Sequence, residues 1–136
     1  MAINLLIDTD VLIDYLREQG DAVRYLESMK DKPLISVITV AELYAGVREG
    51  KERKRLDKFI SAFEVVLVDL NISVKGGLFR RDYGKSHNTG IADALIAATA
   101  DTQKASLVTL NAKHFPMLKN VIIPYHKEKN TRWKIH

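Results

Sequence analysis

Cysteine is absent from the 136-residue sequence. That absence excludes a disulfide scaffold and a thiolate zinc site, and it fits the cytosol. No apolar run approaches the ~18 residues needed to span a bilayer. No charged segment precedes the first apolar stretch, so no signal peptide is expected. Internal repeats and low-complexity tracts are missing as well. What is present is an ordinary globular composition, 46% hydrophobic and 28% charged, at a length of one domain that can bury a core. The net charge of +4 and the pI of about 9.3 are compatible with an anionic partner such as nucleic acid.

Short apolar segments alternate with helical patterns along the chain. Ile3–Ile7, Pro33–Ile38, Val65–Val68, Ser106–Thr109 and Val121–Ile123 read as strands, too short for helices. Val11, Leu12, Tyr15 and Leu16 recur at helical spacing, with Gly20 and Asp21 as a stop and a new cap. Ala22, Leu26 and Met29 give the next helix its apolar stripe, and Thr39–Val47 returns to helix. Leu56, Phe59, Ile60 and Phe63 mark an amphipathic helix. Ile72–Tyr83 is expected to be helical despite Gly76 and Gly77, and Ile91–Thr102 is a helix rich in small residues. The strand segments lack period-2 alternation, as strands buried on both faces do. The expected fold is therefore α/β, a mostly parallel sheet of about five strands flanked by helices. Residues 1–125 form the expected domain, and 126–136 a basic tail carrying Trp133.

Such sheets bind ligands at the carboxyl ends of their strands. Asp8 follows the first strand, Glu42 falls in the first turn of the helix after the second, and Asp93 in the first turn of the helix from Ile91. Three carboxylates on one edge repel one another unless protonated or neutralised by a cation. Oxygen ligands without a His/Cys set point to Mg²⁺ or Mn²⁺. Each acid also has a purely structural reading. Asp8 or Asp10 caps a helix, Thr39 and Glu42 have capping-box spacing, and Asp93 suits a helix dipole. Capping alone does not require the three to converge.

Four segments, in order, carry a family resemblance: 6–14 (LIDTDVLID), 36–46 (SVITVAELYAG), 91–100 (IADALIAATA) and 107–115 (LVTLNAKHF). The sequence resembles PIN-domain proteins, and more narrowly the VapC-type toxins of toxin–antitoxin pairs. The resemblance implies a PIN-like fold and an Mg²⁺- or Mn²⁺-dependent endoribonuclease that cuts cellular RNA with metal-activated water. It implies Asp8, Glu42 and Asp93 as catalytic metal ligands and Thr9 as a supporting hydroxyl. Where the family carries a fourth acid, this sequence has His114, with Asn111 three residues earlier. A neutral imidazole adds no charge for a second cation, but it can contact phosphate or shuttle a proton. Alternatively, Asn111 caps a short turn and His114 lies on the surface. The resemblance further implies a VapB-like antitoxin seated in a groove near the site, a homodimer, a cytoplasmic location and no membrane contact.

Other features stay open at the level of sequence. Arg48, Lys51, Arg53, Lys54, Arg55 and Lys58 read as a solvated helix face or as phosphate contacts. Lys85–Asn88 reads as a loop that could touch substrate. Tyr15, Tyr25 and Tyr44 are either exposed apolar surface or core packing. Two other functions compete: a catalytically weak metal- and RNA-binding module, and a phosphatase with Asp8 as nucleophile and Asp10 as acid or base.

Overall fold

Successive residues of a strand point to opposite faces of the sheet, and here both faces are covered by apolar packing. Leu6, Leu34 and Leu107 pack on one side, and Ile7, Ile35 and Val108 on the other. The central strand β1 therefore reads as an unbroken apolar run, Leu5–Ile7. The computed structural model describes residues 4–126. Within them the order is β1 (Leu5–Ile7), α1 (Thr9–Leu16), α2 (Gly20–Glu27), β2 (Leu34–Ser36), α3 (Val37–Ala45), α4 (Lys51–Ile60), β3 (Glu64–Val66), α5 (Leu70–His87), α6 (Ile91–Gln103), β4 (Ser106–Val108) and β5 (Val121–Ile122). A 3-10 turn, Ala112–His114, links the last two strands.

The five strands are parallel in the order β3-β2-β1-β4-β5. The chain builds outward from β1 through β2 to β3, then returns to the other side of β1 as β4. The point where strand order reverses, between β1 and β4, is where parallel sheets open a ligand crevice. Helices α1, α2 and α4 cover one face through Val11, Leu12, Leu26 and Leu56. Helix α6 covers the other with Ile96, Ala97 and Ala100, joined by Phe79 of α5 and by Phe115.

Several boundaries differ from expectation. The second strand stops at Ser36 because the Ser36 side chain accepts from the Ile38 amide at 3.0 Å and caps α3. Helix α3 therefore begins at Val37, not Thr39, and Glu42 sits in its second turn. Thr39 and Glu42 form no capping box, and Thr39 is fully buried within the helix. Gln19, not Asp21, caps α2, accepting from the Ala22 amide at 2.8 Å.

Helix α5 runs straight through Gly76 and Gly77 and beyond both expected ends. Asp69 caps its start, and Asn88 closes it in the left-handed region at φ 55°. Lys85–His87 is thus a last helical turn rather than a loop. A Cβ at Gly76 would stand 2.6 Å from Leu95 Cδ2 and 3.2 Å from Leu95 Cα. The bare backbone lets α5 lie against α6, and a Lys75–Asp101 ion pair ties the same two helices.

The tyrosines pack rather than present apolar surface. Tyr15 stacks on Phe59 with ring centroids 5.1 Å apart and donates to Glu27. Tyr25 joins the core of the α1 face, and Tyr44 donates to Asp57 beneath the Arg53 guanidinium. Exposed large apolar side chains lie elsewhere, at Leu67, Leu70, Val74, Leu78, Ile91 and Ile123.

The cationic run is a solvated face of α4 and its approach. Arg48 pairs with Glu52, and Arg53 with Glu49 and Asp57. Arg55 donates to the Leu16 carbonyl at 3.0 Å. Among the described residues no helix is long and apolar enough to cross a membrane. Ile3 and the expected tail beyond His126, with Trp133, lie outside the described residues.

Candidate active site

Asp8 follows β1 directly and is 5% exposed. It does cap α1, since its Oδ1 accepts from the Thr9 amide at 2.8 Å. Its other oxygen does more. Oδ2 accepts from the buried Thr109 hydroxyl at 2.7 Å, across the β1–β4 switch point. Burial pushes the Asp8 carboxyl up to about 7, and the negative charges of Asp10 and Asp93 add to that rise. The donors Thr109 and Thr9 N oppose the rise without cancelling it.

Glu42 projects from α3, the helix after β2. The Thr9 hydroxyl donates to its Oε1 at 2.6 Å and lies 3.0 Å from Thr39 Oγ1. The Thr9 hydroxyl, expected to support the site, is thus bonded to Glu42.

Asp93 lies in the first turn of α6, and its Oδ2 is 3.3 Å from Nδ1 of His114. His114 is therefore no free surface residue. Its carbonyl accepts from the buried Thr89 hydroxyl at 2.8 Å, which fixes the 3-10 turn against the start of α6.

Asn111 precedes that turn without a side-chain capping bond. Its Nδ2 donates instead to Asp10 Oδ2 at 3.2 Å, where the Leu110 amide also donates at 3.1 Å. Asp10 thus anchors the segment after β4 to α1.

The fold brings Asp8, Asp10, Thr109 and Asn111 together, places Thr9 with Glu42, and places His114 with Asp93. Each carboxylate is turned toward a protein partner. Among the described residues no three His, Asp or Glu side chains converge to hold an ion as they stand. The donors nevertheless fit a hard divalent cation in kind: they are carboxylate oxygens, and one of them is buried and charge-crowded.

Three site residues escaped the sequence reading: Thr109, Thr39 and Thr89. Thr109 stands just past β4, Thr39 inside α3 and Thr89 in the loop before α6, and only the fold brings their hydroxyls to these contacts. The one local signal was Thr109, standing at the end of a strand two residues before a polar Asn111.

The PIN-domain family matches residues 5–118 of this chain. The chain is 43% identical over 124 residues to Ribonuclease VapC10 of Mycobacterium tuberculosis, covering 89% of this chain and 92% of that protein. It is 36% identical over 119 residues to Ribonuclease VapC1 of Methanocaldococcus jannaschii, covering 85% of this chain and 81% of that protein. A solved toxin–antitoxin complex from Klebsiella pneumoniae has a chain of the same fold, with a TM-score of 0.80 at 27% identity over 91% of this chain and 100% of that one. The family match spans all four motif segments. The chain belongs to the PIN-domain family and, within it, to the VapC group.

Proposed function

We propose that this chain is a divalent-metal-dependent endoribonuclease of the toxin type, held in check by a VapB-like antitoxin. Asp8 carries the reading. A carboxyl buried at the switch point of a parallel sheet, and raised to about 7 beside two more acids, is costly to ionise without a cation. The ribonuclease names of the relatives and the toxin–antitoxin complex with the same fold support the same conclusion.

Asp8, Glu42 and Asp93 would hold Mg²⁺ or Mn²⁺. When bound, such an ion neutralises charge on a phosphodiester and acidifies water. The chain's own side chains do the positioning. Thr109 fixes one oxygen of Asp8, and Thr9 fixes one oxygen of Glu42. His114 stands beside Asp93, where its imidazole can donate to a phosphate oxygen or take up a proton. With histidine rather than a fourth acid there, the site favours one ion over two.

The exposed apolar stripe of Leu70, Val74 and Leu78 on α5 is the face assigned to a second copy of the chain in a homodimer. A cellular RNA substrate places the protein in the cytoplasm.

Induced expression of the wild type and of Asp93→Asn, with total RNA ends sequenced, tests the reading. Growth arrest and new 5′-phosphate ends with the wild type alone are expected. Identical RNA ends from two soluble, well-expressed proteins would sink it and favour a binding module.

A further inference from the structure

A slot of about 330 Å³ opens between the ends of β4 and β5, lined by Asp10, Leu110, Asn111, Ile123, Tyr125 and His126. It begins one side chain from the candidate catalytic acid. The Thr109 hydroxyl that donates to Asp8 at 2.7 Å lies 3.5 Å from Oδ2 of Asp10, at the slot's floor. We infer that this slot is a base-binding subsite, holding a nucleotide next to the cut and preferring a base that presents an amino group. The inference rests on the ribonuclease reading and gives it a source of sequence preference.

The lining chemistry separates a base from other ligands. Among the described residues no Lys or Arg lines the slot, and the Asp10 carboxylate is part of its lining. A phosphate backbone is repelled there, whereas a neutral planar base is not. The walls suit stacking. Ile123 is 45% exposed, an apolar side chain left open at a polar edge. Tyr125 is half-buried, and its hydroxyl donates to Oδ2 of Asp14 at 2.8 Å, so the ring is fixed before any ligand arrives. His126 adds a second planar group at the rim. Surfaces of this kind hold bases with little regard to identity.

Selection falls to Asn111. A carboxylate only accepts hydrogen bonds, so the amide end that faces Asp10 at 3.2 Å is the NH₂. That contact locks the amide and turns its carbonyl oxygen away from Asp10. Among the described residues no hydrogen bond to that carbonyl oxygen is present. A fixed acceptor takes the exocyclic amino group that adenine, cytosine and guanine carry, whereas uracil has carbonyl oxygens at its exocyclic positions and can donate only through N3–H.

The test is cleavage of a short RNA with a randomised segment by the full chain with added Mg²⁺ or Mn²⁺, with the product ends sequenced. The wild type is expected to show uracil depleted several-fold at one fixed position near the cut. Asn111→Ala is expected to level that bias. Ile123→Ser touches no hydrogen bond, and it is expected to keep the bias while raising KM about tenfold. Cleavage with no base bias, or a bias untouched by Asn111→Ala with KM untouched by Ile123→Ser, would overturn the subsite alone. A wild type that cuts no better than Asp8→Asn would overturn the ribonuclease reading, and the subsite with it.

Discussion

The Thr109 hydroxyl donates to Oδ2 of Asp8 at 2.7 Å, joining residues 101 positions apart in sequence. The bond stabilises the carboxylate form, so it pulls against the rise that burial imposes. Thr109→Val keeps the shape of the side chain and removes the donor. Asp8 should then ionise at still higher pH, moving the acid limb of the cleavage profile up by about one unit. Thr109→Ser should leave the limb near its wild-type place. Rate–pH profiles of the three proteins check this.

The same carboxyl makes stability depend on pH. The folded-state value of about 7 lies above the ordinary 3.8, so unfolding releases a proton between those limits. Metal-free stability should therefore fall as pH rises through that window and stay low above it. Asp8→Asn removes the effect. With chelator present it should exceed the wild type by roughly 2–4 kcal/mol near pH 8, and match it at about pH 4 and below. Added Mg²⁺ should stabilise the wild type alone. Urea unfolding across pH, with and without the ion, reads both outcomes.

Gly76 and Gly77 adjoin in one helix and should respond oppositely to alanine. A Cβ at Gly76 meets Leu95 at 2.6 Å, whereas nothing lies within 4 Å of one at Gly77. Gly76→Ala must push α5 off α6 and should cost about 1–3 kcal/mol. Leu95 lies two residues beyond Asp93, so cleavage should fall too. Gly77→Ala should gain about 0.5–1 kcal/mol from helix propensity. Thermal melts of the pair separate packing from propensity.

Leu70 is 81% exposed, and Val74 and Leu78 follow it one and two helical turns later at 55% and 43%. A charge at the centre of this stripe should prevent a second copy from docking. Val74→Glu is expected to sediment as a monomer with an unchanged melting profile at low concentration, while the wild type sediments as a dimer. A monomeric wild type would remove the homodimer from the proposal.

The strands were legible because burial on both faces leaves a plain signature, as in Leu5–Ile7 and Leu107–Val108. Asp8 and Asp93 were legible because one stands just past a strand and the other in the first turn of a helix, whereas Glu42 lies a turn deeper in α3 than its spacing suggested. The cap at Ser36 was not, because the β-branched Val37 and Ile38 behind it read as more strand. Helix α5 was under-read because glycine signals a break locally, and its packing reason, Leu95, comes 19 residues later in the chain. His114 stayed ambiguous for a similar reason. Its meaning lies in Asp93, and only the closed sheet brings the two within 3.3 Å.

β1 is the middle strand of the sheet, yet it precedes the other four strands along the chain. Its partner β4 pairs with it as Leu6 against Leu107, so one side of β1 stays bare until most of the chain has been made. Asp8 exists from the outset, but Asp93, Thr109 and the turn bearing His114 arrive last. On the proposed reading, a nascent chain that still lacks β4 has no finished candidate site.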